Sequence, residues 1–132
     1  MFAWLFEPPG YTPRGWDEER ARTALAEAID TPASAVLVAE AEGGELIGVV
    51  SAYLDLNSIR FGRRCWVEDL AVAPGRRSTG IGAALLEAAK AWASERGATH
   101  LELDTGVARQ DAQRFYERQG PIAKGYSYTW AL

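Results

Sequence analysis

From Gly80 onward, Ile81, Leu85, Ala88 and Trp92 recur at helical spacing. Ala84 and Ala89 widen the apolar stripe, and Glu87, Lys90, Ser94 and Glu95 fall on other faces. The spacing predicts a helix that closes at Gly97, a residue suited to the position just past a helix end. Ahead of it, Trp66 to Val72 is predicted as a strand, and Pro74-Gly75 is turn punctuation. Earlier in the chain, Asp17 is placed to cap a helix whose first turn carries Glu18 and Glu19. Ala21, Ala24, Leu25, Ala28 and Ile29 give that helix one apolar face, and Thr31-Pro32 stops it. Ala35–Ala41 and Leu46–Leu56 are predicted strands joined by a tight turn at Glu42-Gly43-Gly44-Glu45. The polar stretch from Asn57 to Arg64 is predicted as a loop.

Beyond the central helix, Thr99 to Asp104 alternates, with Leu101 and Leu103 on one face and His100, Glu102 and Asp104 on the other. Ala112, Phe115, Tyr116 and Gln119 predict a short helix from Gln110 to Gln119, closed by Gly120. Gly125 to Ala131, rich in Tyr, Thr and Trp, is predicted as a last strand. Helix, three strands, helix, strand, helix, strand is an α/β (α+β) order. It gives a mixed, mostly antiparallel, twisted sheet flanked by helices.

Composition narrows the picture. The chain has 132 residues, enough for one domain over 1–132 with a core of its own. A net charge of −4 argues against nucleic acid as a partner, because phosphate binding wants a basic face. It is compatible with a cationic substrate. The single cysteine, Cys65, excludes an internal disulfide and suits a reducing cytoplasm. No apolar run approaches the length of a membrane span, so no membrane partner is expected. The first sixteen residues are aromatic and irregular, with Trp4, Phe6, Tyr11 and Trp16 broken by Pro8-Pro9-Gly10 and Pro13. They suit either a segment packed on the core edge or one wall of a pocket.

The turn before the central helix carries the first chemistry. Arg76 and Arg77, Ser78 and Thr79, and Gly80 and Gly82 lie between strand and helix. A helix opening on residues without bulky side chains exposes N–H groups that have no partner inside the helix. With the positive end of the dipole and two guanidiniums, they make an anion site. A nucleotide-triphosphate loop would need Lys and Ser/Thr where Ile81 and Gly82 stand. A dinucleotide loop would need a third glycine. Arg77-Ser78-Thr79-Gly80-Ile81-Gly82 instead fits [QR]-x-x-G-x-[GA] after a strand ending Leu-x-Val.

In that stretch the chain resembles the GNAT superfamily of N-acetyltransferases, whose loop of this pattern holds the pyrophosphate of acetyl-coenzyme A. Ala112-Gln-Arg-Phe115-Tyr116-Glu117-Arg118-Gln119-Gly120 resembles the family's second signature, in the right order and at a plausible separation. The resemblance covers residues 35 to 120 well and Tyr126 to Leu132 loosely. It implies that Leu70, Ala71, Val72, Arg77, Ser78, Thr79, Gly80, Ile81, Gly82, Ala83 and Phe115 bind acetyl-coenzyme A. It implies no metal, and Tyr116 as the acid that protonates the leaving thiolate. Arg109 stands where the family often has an asparagine, Pro121 where it has phenylalanine, and the N-terminus looks short for the family.

Acetyl transfer to an amine also needs a base, because an ammonium titrating near ~10.4 cannot attack. Glu68 and Asp69 are adjacent on the strand that would run beside the coenzyme. Strand alternation sends them to opposite faces unless a bulge intervenes. Glu68 is chosen because it shares parity with Leu70 and Val72; Asp69, Glu102, Asp104 and water stay open. Leu70, Ala71 and Val72 are expected to pair their backbone with the pantetheine arm. Cys65 with His100 invites a nucleophile reading, but a lone strand cysteine is more often a small buried hydrophobe. Two functions follow. One is an N-acetyltransferase moving acetyl to a primary amine of a small molecule or peptide by direct attack. The other is a degenerate module that holds acyl-coenzyme A, or only dimerises. The aromatic leader and an uncovered Ala35–Ala41 edge point to a homodimer, the alternative being a leader that folds back over the edge of its own subunit.

Overall fold

The computed structural model describes all of residues 1–132. A short 3-10 helix at Phe2–Phe6 opens the chain. Helix α1 (Glu18–Asp30) follows, and the Asp17 carboxylate caps it by accepting from the Arg20 N–H at 2.7 Å. Thr31 ends α1 in extended conformation, as expected ahead of a proline. Strands β1 (Ser34–Glu40), β2 (Leu46–Ser58) and β3 (Gly62–Val72) form an antiparallel meander. Helix α2 (Ile81–Glu95) crosses over to β4 (His100–Glu102), which lies parallel to β3, and α3 (Gln110–Arg118) follows. The sheet order is β1-β2-β3-β4. This is the mixed, mostly antiparallel sheet flanked by helices that the pattern predicts.

Two expectations are corrected. Asn57–Arg64 is not a loop: β2 runs on to Ser58 and β3 begins at Gly62. Its polar residues are cross-strand partners. Arg64 holds Asp55 through bonds of 3.0 and 2.8 Å, and Ser58 Oγ accepts from the N–H groups of Arg60 and Phe61, both at 3.2 Å. The second correction is Gly125–Ala131, which forms no strand. Its alternation is real, but β4 offers only a three-residue edge, too short to template it. Tyr126, Tyr128 and Trp130 all stay exposed.

One sheet face packs on α2. Val50, Ala52, Cys65 and Val67 meet Leu85, Ala89 and Ala93 in the core. The buried residues Ile47, Val49 and Ser51 alternate with these and point the other way. The elements left to cover them are α1, which lies on β1, and the leader turn, which lies on β3. The leader therefore folds back on its own subunit, and Phe6 stacks edge-on against Trp16 with centroids 4.8 Å apart. The edge of β1 stays uncovered, as expected.

Candidate active site

The site is built where β3 stops having a neighbour. β4 pairs with β3 only along Arg64, Cys65 and Trp66, so the rest of that β3 edge is open. The Ala73 N–H donates to Ile47 O at 2.9 Å. Bonded pairs alternate along an antiparallel ladder, so Ala71 spends its backbone groups on Val49 of β2. Leu70 and Val72 turn theirs to the open side. Of the three residues expected to pair with the pantetheine arm, Leu70 and Val72 thus face the open side and Ala71 faces β2.

The chain then turns through Pro74–Arg76 into the anion loop. Ser78 is left-handed at φ 61°, and Gly80 caps α2 at φ 86°. The Thr79 hydroxyl ties the loop by donating to Arg76 O. The first helical bond runs from the Ala84 N–H to Gly80 O at 3.1 Å, leaving the N–H groups of Ile81, Gly82 and Ala83 free for an anion. Arg77 Nε donates to Val72 O at 3.4 Å, and its Nη2 lies 3.6 Å from Glu7. A Cβ at Gly82 would sit 3.3 Å from the Phe115 ring, so α3 presses directly on the loop. Donors, guanidinium and a close glycine fit a pyrophosphate.

Phe115 brings Tyr116 with it; their rings meet edge-on at 5.1 Å. Burial is the main influence on the Tyr116 phenol and pushes it up to about 12; Arg109 opposes the rise and Asp104 adds to it. The environment thus makes Tyr116 a weaker acid than the ordinary value near ~10 on which the sequence reading rests.

The carboxylates are arranged by a bulge. Ser51 pairs with Asp69 and Ala52 with Val67, so Glu68 has no partner across the ladder. The parity that favoured Glu68 is lost there, because Leu70 returns to the α2 side with Val67. Trp66 Nε1 donates to Glu68 Oε2 at 2.5 Å, and Trp66 stands opposite Tyr53. Ser51 Oγ donates to Asp69 Oδ2 at 2.7 Å and accepts from the Asp69 N–H at 3.1 Å. Ser51 and Tyr53 share a face of β2, so both carboxylates lie on that one face, against the expectation of opposite ones. Glu68 is exposed and Asp69 half-buried. Burial, with Glu68 adding, pushes the Asp69 carboxyl above its usual range, against the Ser51 hydrogen bond.

The other candidates are placed elsewhere. Glu102 is engaged by Arg64 at 3.2 Å and lies 3.1 Å from His100. Asp104 lies near Tyr116 and contributes charge there. Cys65 is fully buried and its thiol is pushed up by desolvation, which suits packing and not attack. The pairing of Ser51 with Asp69 escaped sequence reading; a serine in an otherwise apolar strand run was the available signal.

The family model described as the acetyltransferase (GNAT) family matches residues 1–120. The chain belongs to that family. With it, the chain falls among the acyltransferases. An uncharacterized N-acetyltransferase of Bacillus subtilis, YhfO, is 36% identical over 104 residues, which is 79% of this chain and 69% of that protein. The aminoalkylphosphonate N-acetyltransferase of Salmonella typhimurium is 34% identical over 89 residues, 67% of this chain but 58% of its own length. Among solved structures, an aminoglycoside N-acetyltransferase in complex with CoA superposes with a TM-score of 0.79 at 18% identity. That match covers 89% of this chain and 79% of the other and shows the GNAT fold. No helix here is long and apolar enough to cross a membrane.

Proposed function

We propose that this GNAT chain transfers an acetyl group from acetyl-coenzyme A to a primary amine of a small molecule or peptide, by direct attack in a ternary complex. The observation that carries the reading is the contact of Phe115 with Gly82, which puts the helix of Tyr116 against the anion loop. Acetyl-coenzyme A, when bound, supplies a thioester whose acetyl group passes to the amine as the thiol leaves. Arg77 and the N–H groups of Ile81 to Ala83 hold its pyrophosphate, and the backbone of Leu70 with the N–H of Val72 offers pairing along the open edge. Asp69, with Glu68 beside it, takes the ammonium proton directly or through water. Burial raises its carboxyl above the usual range, which makes it a better proton acceptor than an ordinary aspartate. Tyr116 gives its proton to the departing sulfur. The small-molecule acceptors named for relatives support an amine of that size.

A second reading, an acyl-coenzyme A-binding module without turnover, draws on the Tyr116 phenol: a group near 12 gives up its proton reluctantly. Coenzyme A release across a panel of polyamines, aminoglycosides, amino acids and aminoalkylphosphonates separates the two. Calorimetric binding with release driven by one amine supports the enzyme; binding with no release by any supports the module; no binding sinks both. The lone buried thiol suits the cytoplasm as the place of action. The uncovered edge of β1 suits a two-fold homodimer, which a monomer mass by light scattering at micromolar concentration would exclude.

A further inference from the structure

We propose that Arg109 is a positioning residue that ties the N-terminal leader to the helix carrying Tyr116, so that one side chain sets both the acceptor wall and the proton donor. The inference rests on the functional reading above, in which Tyr116 is the donor. Arg109 is half-buried at the N-cap position of α3, and its Nη2 donates to Leu5 O at 2.6 Å across 104 residues of chain. The approach is tight enough to need glycine beside it: a Cβ at Gly10 would collide with both Leu5 O and Arg109 Nη2 and would lie 2.8 Å from Glu7 O. The tie is supported from behind. The Arg109 N–H donates to Gly106 O at 2.9 Å, and Gln113 Nε2 donates to the carbonyls of Gly106 and Val107, both at 3.0 Å.

The same guanidinium acts along its helix. Tyr116 follows Arg109 by two turns, so both lie on one helix face. The cation there favours the ionised phenol, against desolvation and against Asp104. The leader has a second attachment, Glu7 beside Arg77 at 3.6 Å. It therefore touches both the anion loop and the start of α3 while its aromatic turn lies on β3. An acceptor held beside Asp69 would meet that turn as a wall. A hydrogen bond to a charged donor is among the stronger ones, and an unpaired Leu5 carbonyl would loosen the segment.

The test uses the full chain with Arg109→Ala, Arg109→Lys and Gly10→Ala, each assayed for amine kinetics, acetyl-coenzyme A affinity by calorimetry and amide hydrogen exchange in residues 1–10. In Arg109→Ala the leader should exchange faster, KM for the amine should rise about tenfold, as expected for one lost charged hydrogen bond, and kcat should fall, with coenzyme affinity kept. Gly10→Ala breaks the tie but leaves the cation by Tyr116, so KM should rise with kcat near wild type. Arg109→Lys keeps charge without the planar fork and should recover kcat more than KM. Wild-type leader exchange together with wild-type KM in Arg109→Ala would overturn the proposal. So would equal kcat losses in Arg109→Ala and Arg109→Lys. Exchange and calorimetry need no turnover. A chain that binds coenzyme but acetylates nothing therefore sinks the proposed reaction, while release of the leader still decides the tie. Should Arg109→Ala fail to fold, Gly10→Ala with unchanged exchange sinks the tie by itself.

Discussion

In the proposed reaction the coenzyme and acceptor halves of the site are made of different materials. The coenzyme half is backbone: the open edge at Leu70 and Val72 and the free N–H groups opening α2, with Arg77 added. The acceptor half is side chains gathered from distant places: Asp69 and Glu68 from a bulge, Ser51 from β2, and an aromatic turn from the leader, held by Arg109. Backbone geometry is set by local glycines and helix starts, so the first half depends little on side-chain identity. The second depends on particular side chains brought together from distant parts of the chain.

The contrast can be broken by substitution. The largest effect is expected at the join of the halves. Tyr116→Phe should lower kcat about 10²–10⁴-fold, the usual worth of a general acid, while coenzyme affinity stays near wild type by calorimetry. An unchanged rate with the true acceptor would remove Tyr116 from the chemistry. Next comes the backbone half. Gly82→Asp adds a Cβ 3.3 Å from the Phe115 ring and a carboxylate facing the phosphate donors. Like charges so placed cost several kcal/mol, so coenzyme affinity should fall about 100-fold. Wild-type affinity in that variant would show that the loop is not the anion site.

The smallest effects sharpen the acceptor half. Asp69→Asn should abolish the acidic limb of the kcat/KM profile, whereas Glu68→Gln should only shift it; the reverse result makes Glu68 the base. Asp69 also predicts a stability trend. Its folded carboxyl is raised above the unfolded value near ~3.9, so the native state holds the proton more tightly there. Its contribution is therefore most favourable below the unfolded value and declines as pH rises through the folded one. Asp69→Asn should flatten that decline in melting temperature against pH; an identical slope would mean Asp69 is not the group responsible.

Legibility followed the same division. The turn between β3 and α2 and the order of elements as far as α3 were readable because glycine placement and helical period are local signals. Pairing at the Asn57–Arg64 hairpin was hidden, since Arg64 and Asp55 look like loop residues until a neighbouring strand brings them together. The carboxylate pair was hidden more deeply. Alternation forbids two neighbours on one face, and only the pairing of Ser51 with Asp69 reveals the slip in register. The Arg109 tie spans almost the whole chain and has no local signature at all.

The bulge also separates what β3 does for the core from what it does at its surface. Strike Glu68 from β3, and Cys65, Val67, Leu70 and Val72 still alternate with Trp66, Asp69 and Ala71 without interruption. Every core contact survives the deletion on paper, because the extra residue is the one with no rung on the ladder. Glu68 is in that sense an extra residue in a strand already complete. It sets a second carboxylate beside Asp69 without asking the core to repack.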